Sequence, residues 1–552
     1  MTDAALRGRI AYDGPPTRLK TALFLIVCLA WLVPGLVGHD PWKADEAVSF
    51  GNVLEILRTG DWIVFRVAGE PNLEKAPLFL WTAALMAKAF GGLLALHDAA
   101  RLASGVFMAA TLALLAGAAY ELLGGRAVRQ AVLLFIGCLG LLIRAHEMTP
   151  DLAGLAGVAL ALYGLALSLR RPLVGGAATG AGVGVAFLGN GFLPLGMLSA
   201  LLMLLPLGGG AEWRNRRYAL TAGMAVLCAL PLLAAWPAAL ALRSHDLLRM
   251  WLDNAGTVRW SNPFAAGDGP GVLYFAKLLP WYTWPAWPLA AWTVWRAWKR
   301  IEVRTDLQLP LLAFVAFFVV AAFFADARDA NALPLLLPLA ILGVADIETL
   351  PRGAASALDW FGMTTFFLFA ALLWIGWFAA LTGRPELAAA MLQREVPGFT
   401  YRFSFIAFAF AALLTLVWIA VAARSLRSTR RALVNWTSGI TMVWMLVMTL
   451  GVPIVDQARS YRGVGMKMVA AMPAGTRCIA RRNVGDAQRA LLDYFVDIQT
   501  VRDDSPLASA CGVLLVQASP ARPPDAGPEW KELWRGARPG DRTELFVLYQ
   551  RQ

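Results

Sequence analysis

The chain has 552 residues, 58% of them hydrophobic and 16% charged, with a formal net charge of +12. Soluble globular proteins carry roughly 25% charged residues, so this composition excludes an ordinary soluble domain and points to an all-α polytopic bundle crossing a membrane many times. The positive balance does not indicate nucleic acid, because Lys and Arg cluster in short loops between apolar runs and no nucleic-acid-binding motif is present.

Arg7, Arg9, Arg18 and Lys20 precede the run "TALFLIVCLAWLVPGLVG". No small-x-small cleavage site is evident, so this reads as an uncleaved first span with its N-terminus in the cytoplasm. Residues 39–76 then set Asp45, Glu46, Asp61, Glu70, Glu74 and Lys75 beside the membrane. Asp45 and Glu46 are adjacent, so on a helix they point about 100° apart and cannot both face one substrate atom. One is functional and the other capping or solvated. "GDW" (60–62) reads as a glycine stop, a helix cap and an interfacial tryptophan. Glu74 and Lys75 precede Ala76-Pro77, a fixed bend carrying one acid and one base. Glu74 there can orient Asp45 or a metal, and Lys75 suits a phosphate.

The apolar run 76–96 is the ambiguous one. Later loops alternate between a basic kind ("GGRAVRQ", "SLRRP", "EWRNRRY", "RAWKRIEVR", "ARSLRSTRRAL") and a mixed or acidic kind ("RAHEMTPD", 243–271, "ADARDANA", 382–402). If 76–96 crossed the membrane, every basic loop would face outward. It is therefore read as lying along the interface or turning back within it, which leaves about 13 spans with the basic loops in the cytoplasm. Residues 1–454 then form a transmembrane domain with a first outward loop at 39–100, and 455–552 form a small extracytoplasmic α/β domain. In that tail, "RCIARRN", "LLDYFVDIQTV", "CGVLLVQAS" and "ELFVLYQRQ" are short β-branched or apolar runs that supply a few strands, "VGDAQRALLDYF" reads as a helix and "SPARPPDAGPEW" as a loop.

This topology gathers the acidic loop, "HEMTPD", Arg243, His245, Arg249, Asp253, Arg259, Asp326, Arg328 and Asp329 on one outward face. Charges in wet loops are usually only solvated; here they recur in several loops, one long and rich in anchoring aromatics. Asp151 follows Pro150 and opens an apolar run, which fits a helix N-cap as well as a group projecting into a cavity. Cys28, Cys138 and Cys228 fall in predicted spans and read as packing residues. Cys478 and Cys511 fit either a disulfide or two buried thiols. The four histidines show no paired spacing, so no metal site is assigned; a divalent ion held by Glu74 with a distant His or Asp is the single arrangement left open. No Walker motif, dinucleotide fingerprint or Ser-His-Asp arrangement is present.

"ADEAVSFGNVLEILRTGDWIV", "EPNLEKAPLFLW" and "DAARLASGVFMA" resemble the first outward loop of the polyprenyl-phosphate-sugar-dependent glycosyltransferases of GT-C fold, the superfamily of the protein O-mannosyltransferases. Within it the pattern is most similar to the branch that transfers 4-amino-4-deoxy-L-arabinose to lipid A. The likeness is good over the first hundred or so residues and thinner through Asp151, "GFLPL", Arg259, "LPW" (279–281), Pro334 and Pro338. It implies catalytic roles for Asp45, Asp151 and Glu74, donor-phosphate binding by Lys75, Arg259 and Arg328, and a cavity lined by Glu46, Tyr274 and Asn190. It further implies an undecaprenyl-phosphate-linked sugar donor, a lipid A or other acceptor, no required cofactor, surrounding membrane lipids, a monomer, and a bacterial inner membrane with the active site and tail in the periplasm. Two departures put the donor in doubt. Asn190-Gly191 stands where relatives usually have Lys-Gly, and the Lys and Tyr ahead of the proline pair appear as Arg328 and as Asn331 or Ala332. A transporter would show paired half-sequences with midplane ionisable residues; here the charges gather at the rim.

Overall fold

The computed structural model describes residues 18–42, 44–254, 272–424, 429–476, 478–522, 524 and 526–552. Among these, eight helices are long and apolar enough to cross a membrane, from Leu96–Leu123 to the run Arg431–Ala471, so the protein is a multi-pass membrane protein. Shorter apolar helices at Pro77–Phe90, Phe192–Gly208 and Asp329–Ala345 complete much of the bundle. The sequence led to about 13 spans. The difference lies in apolar runs that fold as short or interrupted helices. The first run is helical only over Arg18–Leu32, and Trp284-Pro285 separates Val272–Tyr282 from Ala286–Ala297.

The ambiguous run folds as the 14-residue helix Pro77–Phe90. At 1.5 Å per residue it reaches about 21 Å, short of a hydrocarbon core of about 30 Å. Its Phe79, Leu80, Ala83, Ala84 and Ala87 face the protein core. A helix of this length fits the reading of the run as interfacial or re-entrant.

Close approach of two helices brings Asp151 beside Asn190. Asp151–Ser168 and Pro172–Asn190 are joined by the turn at 169–171 and pack through glycines on both. A Cβ at Gly157 would overlap the backbone of Ala186, and one at Gly189 that of Gly154. Small-residue contact is how apolar helices approach closely without a hydrophobic drive between them. Here it brings the end of the second helix, Asn190, to the start of the first, Asp151.

The tail carries a five-stranded mixed sheet. A two-stranded hairpin in the first loop, β1 (Arg66–Val67) and β2 (Glu70–Pro71), precedes it in the chain. The sheet itself comprises β3 (Ile479–Arg482), β4 (Val501–Arg502), β5 (Val513–Ala518), β6 (Trp530–Gly536) and β7 (Leu545–Arg551), in the order β4-β3-β5-β7-β6. The helix Asp486–Val496 makes the crossover between parallel β3 and β4, and β7 runs antiparallel to β5 and β6. One face buries Ile479, Val513, Leu515, Phe546 and Leu548 against Leu491, Leu492, Val464 and Met468. Strand β6 was not anticipated, because "WKELWRG" carries charges rather than a clean apolar alternation. Cys478 and Cys511 are joined by a disulfide, which settles the two alternatives in favour of the bond.

This domain is docked on the first loop. The crossover helix packs against Asp45–Thr59, where a Cβ at Gly51 would meet the Ala490 side chain at 2.7 Å. Arg58 donates twice to Asp493 (2.8 and 2.7 Å), and Arg481 twice to Glu70 (2.8 and 2.7 Å). Arg462 grips Asp40, and Trp42 Nε1 donates to Asp456 at 3.0 Å.

Candidate functional site

Asp45 opens the helix Asp45–Thr59, with Glu46 beside it in the first turn. Acids there face the positive end of the helix dipole. Gly60, at φ 72°, stops the helix by donating to Ile56 O, as the Gly-Asp-Trp reading required. Asp61 does not start another helix; its Oδ1 accepts from the backbone of Ile63 and Val64 and holds a turn.

The pair Asp45/Glu46 divides, but the second acid is neither a cap nor solvated. Glu46 is buried, accepts from Trp42 N at 3.0 Å and from Arg101 Nε at 2.6 Å, and locks the first loop to the helix Leu96–Leu123. The assignment of Glu46 as cavity-lining is corrected accordingly: its side chain is spent on Arg101 and the loop backbone. Asp45 instead meets three cations. Arg328 Nη2 donates to its Oδ2 at 2.7 Å, Lys75 Nζ lies 3.6 Å from Oδ1, and Arg144 Nη1 lies 3.7 Å from Oδ2. Burial by itself pushes the Asp45 carboxyl upward, but the charges of Lys75, Arg328 and Arg144 outweigh it and hold the group below the usual carboxylate value. Asp45 is an ionised carboxylate at neutral pH.

Lys75 reaches Asp45 because Ala76 is extended (ψ 156°) and Pro77 starts the following helix, the bend the Lys-Ala-Pro sequence imposes. Its neighbour Glu74 is exposed. Among the described residues no hydrogen bond or ion pair joins it to Asp45, which is met by Lys75 instead. No group of three or more His, Cys, Asp or Glu able to hold a metal occurs among the described residues, and none therefore surrounds Glu74 there.

Asp151 is the first residue of its helix rather than the N-cap, which is Pro150. It is buried and accepts from Thr149 Oγ1 at 2.5 Å and from Asn190 Nδ2 at 2.9 Å. Arg328 feels it: burial lowers the Arg328 pKa, and Asp45 and then Asp151 raise it to a net increase. Asp151, Asn190, Arg328 and Asp45 thus belong to one electrostatic centre. Tyr274 lies within electrostatic reach of Asp329 and Arg144 at its edge. Arg259 lies outside the described residues.

Sequence reasoning did not single out Arg144 or Glu147, and it noted Asp329 only as an outward charge. Arg144 ends the short helix Leu141–Arg144. It donates to both oxygens of Asp329 (3.1 and 2.6 Å) and to Glu147 Oε2 at 2.7 Å. The available signal was the density of polar groups in "RAHEMTPD". Asn331, considered as a stand-in for an expected tyrosine, instead donates to Asp326 O and holds the turn that presents Arg328.

A polar cleft of about 550 Å³ lies elsewhere, between the β1–β2 hairpin and the sheet, and includes Glu70, Asp486, Arg481 and Arg489. Its two buried arginines are neutralised by Glu70 and Asp486. It is a docking joint, separate from the Asp45 cluster.

The bundle of membrane helices, the first loop and the terminal sheet make this a membrane protein of GT-C fold. The solved structure of ArnT from Cupriavidus metallidurans bound to undecaprenyl phosphate aligns with a TM-score of 0.68 at 16% identity, covering 97% of this chain and 98% of that one. The apo state of the same protein aligns at 0.63 and 17% identity, covering 96% and 97%. The family described as dolichyl-phosphate-mannose-protein mannosyltransferase matches residues 74–236. In sequence, the chain is 28% identical over 342 residues to the undecaprenyl phosphate-alpha-4-amino-4-deoxy-L-arabinose arabinosyl transferase 1 of Pseudomonas fluorescens (strain Pf0-1). That match covers 58% of this chain and 56% of the relative, so it spans little more than half of the relative's length.

Proposed function

We propose that the protein is an inverting glycosyltransferase that moves 4-amino-4-deoxy-L-arabinose from undecaprenyl phosphate to a lipid A phosphate on the periplasmic face of the inner membrane. The observation that carries this reading is the Asp45 carboxylate ringed by Arg328, Lys75 and Arg144. The likeness to the arabinosyl transferase and to the undecaprenyl-phosphate-bound ArnT supports the donor. The disulfide in the tail supports an oxidising compartment for that domain.

The reaction breaks the bond between the anomeric carbon and a phosphate oxygen of the donor. Its electron pair leaves on the undecaprenyl phosphate, and an acceptor phosphate oxygen bonds to the opposite face of the carbon. Lys75 and Arg328 are fixed cations for the charge that develops on the departing phosphate; such preorganised groups are each worth about 10²–10³ in rate. An acceptor phosphate is already anionic, so no strong base is needed. Asp45, held ionised, faces the positive charge of the amino sugar and of the oxocarbenium-like carbon.

A second reading, transfer of another polyprenyl-linked sugar to a protein or glycan, is favoured by one feature. Asn190, where relatives usually carry a lysine, leaves Asp151 with a neutral donor instead of a cation. Purified protein in liposomes, given undecaprenyl-phosphate aminoarabinose and lipid A, tests the first reading. Mass spectrometry should detect amino-sugar-modified lipid A with the wild type and none with Asp45→Asn. Unmodified lipid A beside a glycosylated peptide or glycan would establish the second reading instead.

A further inference from the structure

Arg144 occupies an unusual position in the centre just described. Its guanidinium touches three carboxylates from three segments: Asp45 of the first loop, Asp329 of the segment before Pro334, and its own neighbour Glu147. Arg328 approaches Asp45 from the same segment as Asp329. The planar fork of arginine can hold several oxygens at fixed angles, which a lysine ammonium cannot. We propose that Arg144 is the positioning residue for Asp45, fixing the carboxylate between the first loop and the 326–332 segment by bracing it against Asp329 and Glu147.

The geometry supports positioning rather than substrate binding. Two of Arg144's nitrogens are committed to Asp329 and one of those shorter contacts is matched by Glu147 at 2.7 Å, whereas its approach to Asp45 is a longer 3.7 Å. Arg144 is thus held by its own acids, which fix where its charge lies relative to Asp45. Lys75 lies 3.6 Å from Asp45, and Arg328 is 41% exposed against 23% for Arg144. The groups facing Asp45 are Lys75 from its own loop, Arg328 from the 326–332 segment and Arg144 from the end of the short helix, with the Glu147 carboxyl behind Arg144. Removing Arg144 therefore takes one of three cations from Asp45 and frees the segment bearing the second.

The role in catalysis rests on the transferase reading, but the positioning itself can be measured without turnover. A carbodiimide activates a protonated carboxyl, so the pH midpoint of Asp45 labelling, followed by peptide mass spectrometry of the full-length protein in detergent, reports its ionisation. In Arg144→Met the midpoint should rise by about one pH unit, and in Arg144→Lys it should stay close to wild type because the charge remains. Arg144→Gln serves in the same assay if the Met variant does not fold. In the transfer assay, Arg144→Met should lose about 10²-fold in kcat with KM held, the signature of a misplaced group rather than a lost ligand. An unchanged labelling midpoint in the uncharged variants overturns the proposal, as does a raised KM at unchanged kcat, which would make Arg144 a substrate ligand. If the midpoint shifts while the wild type transfers no sugar, the positioning stands and the transferase reading fails.

Discussion

Arg328 donates to Asp45 at 2.7 Å across a sequence separation of 283 residues, closing the first loop onto the segment ahead of the late proline pair. The contact joins the acid expected to face the sugar to a cation expected to face the donor phosphate. When an anionic donor enters, Arg328 must share its charge between the two. Arg328→Gln should therefore slow transfer by about 10²-fold, the loss typical of one preorganised donor, while the protein keeps its elution volume and thermal midpoint. Initial rates at saturating acceptor measure this. A rate within experimental error of wild type would remove Arg328 from the phosphate site.

Asp45 and Glu147 should respond to pH with opposite signs. Asp45 has a folded pKa below its unfolded one, so its contribution to stability is present above the unfolded carboxylate value and is lost as pH falls through the lower folded value. Glu147 is the reverse: burial raises it, and Arg144 lowers it less than burial together with the Glu46 and Asp45 charges raises it. Its favourable contribution is present below its unfolded value and fades as pH rises through the raised folded value. Glu147→Gln lacks that loss. Its thermal midpoint relative to wild type should climb between pH 4 and 7, as followed by scanning fluorimetry in detergent. A flat difference over that interval would show that Glu147 has the same pKa in the folded and unfolded states.

Much of this centre could be read before any coordinates. An acid at a helix start and a lysine fixed by the following Ala-Pro rest on local chemistry; that Asp45 and Lys75 share one cavity came only from the family resemblance, and the two lie 3.6 Å apart. What could not be read was which of two neighbours faces inward. Glu46 is taken by Arg101, 55 residues away, and Glu74 loses to Lys75 through packing that neither residue encodes alone. Arg144 and Asp329 are 185 residues apart and meet only because the short helix and the 326–332 turn share the mouth of the bundle. Span number was legible only coarsely, since hydropathy registers apolar runs and not the proline and glycine breaks inside them.

Gly157 carries a prediction about action at a distance. A methyl group there would overlap the Ala186 backbone, forcing apart the helices Asp151–Ser168 and Pro172–Asn190. Their ends hold the Asn190–Asp151 hydrogen bond of 2.9 Å. Gly157→Ala should cost about 1–3 kcal/mol through overpacking and also lower transfer, although residue 157 contacts no reacting group. Paired measurements of thermal midpoint and turnover check both. Loss of stability with full activity would mean that the Asp151 end is insulated from the helix contact.

The docking of the terminal domain should matter for the same reason. Arg481 is buried and bonds both oxygens of Glu70, and Arg489 donates to Val67 O in the same hairpin. Lys75 follows Glu70 by only a few residues, so the sheet steadies the strand of chain that presents Lys75 to Asp45. Arg481→Ala leaves Glu70, already 40% exposed, still paired with Arg489 at 3.2 Å, so the energetic penalty falls mainly on the hairpin's position rather than on an uncompensated buried charge. Limited proteolysis should then cut residues 61–75 faster than in wild type, and kcat/KM should fall by about tenfold as Lys75 loses its fixed place. The order of the two effects is diagnostic. Faster cutting at unchanged kcat/KM would show that Lys75 is held by Pro77 alone, and the terminal domain would then have no part in shaping the site.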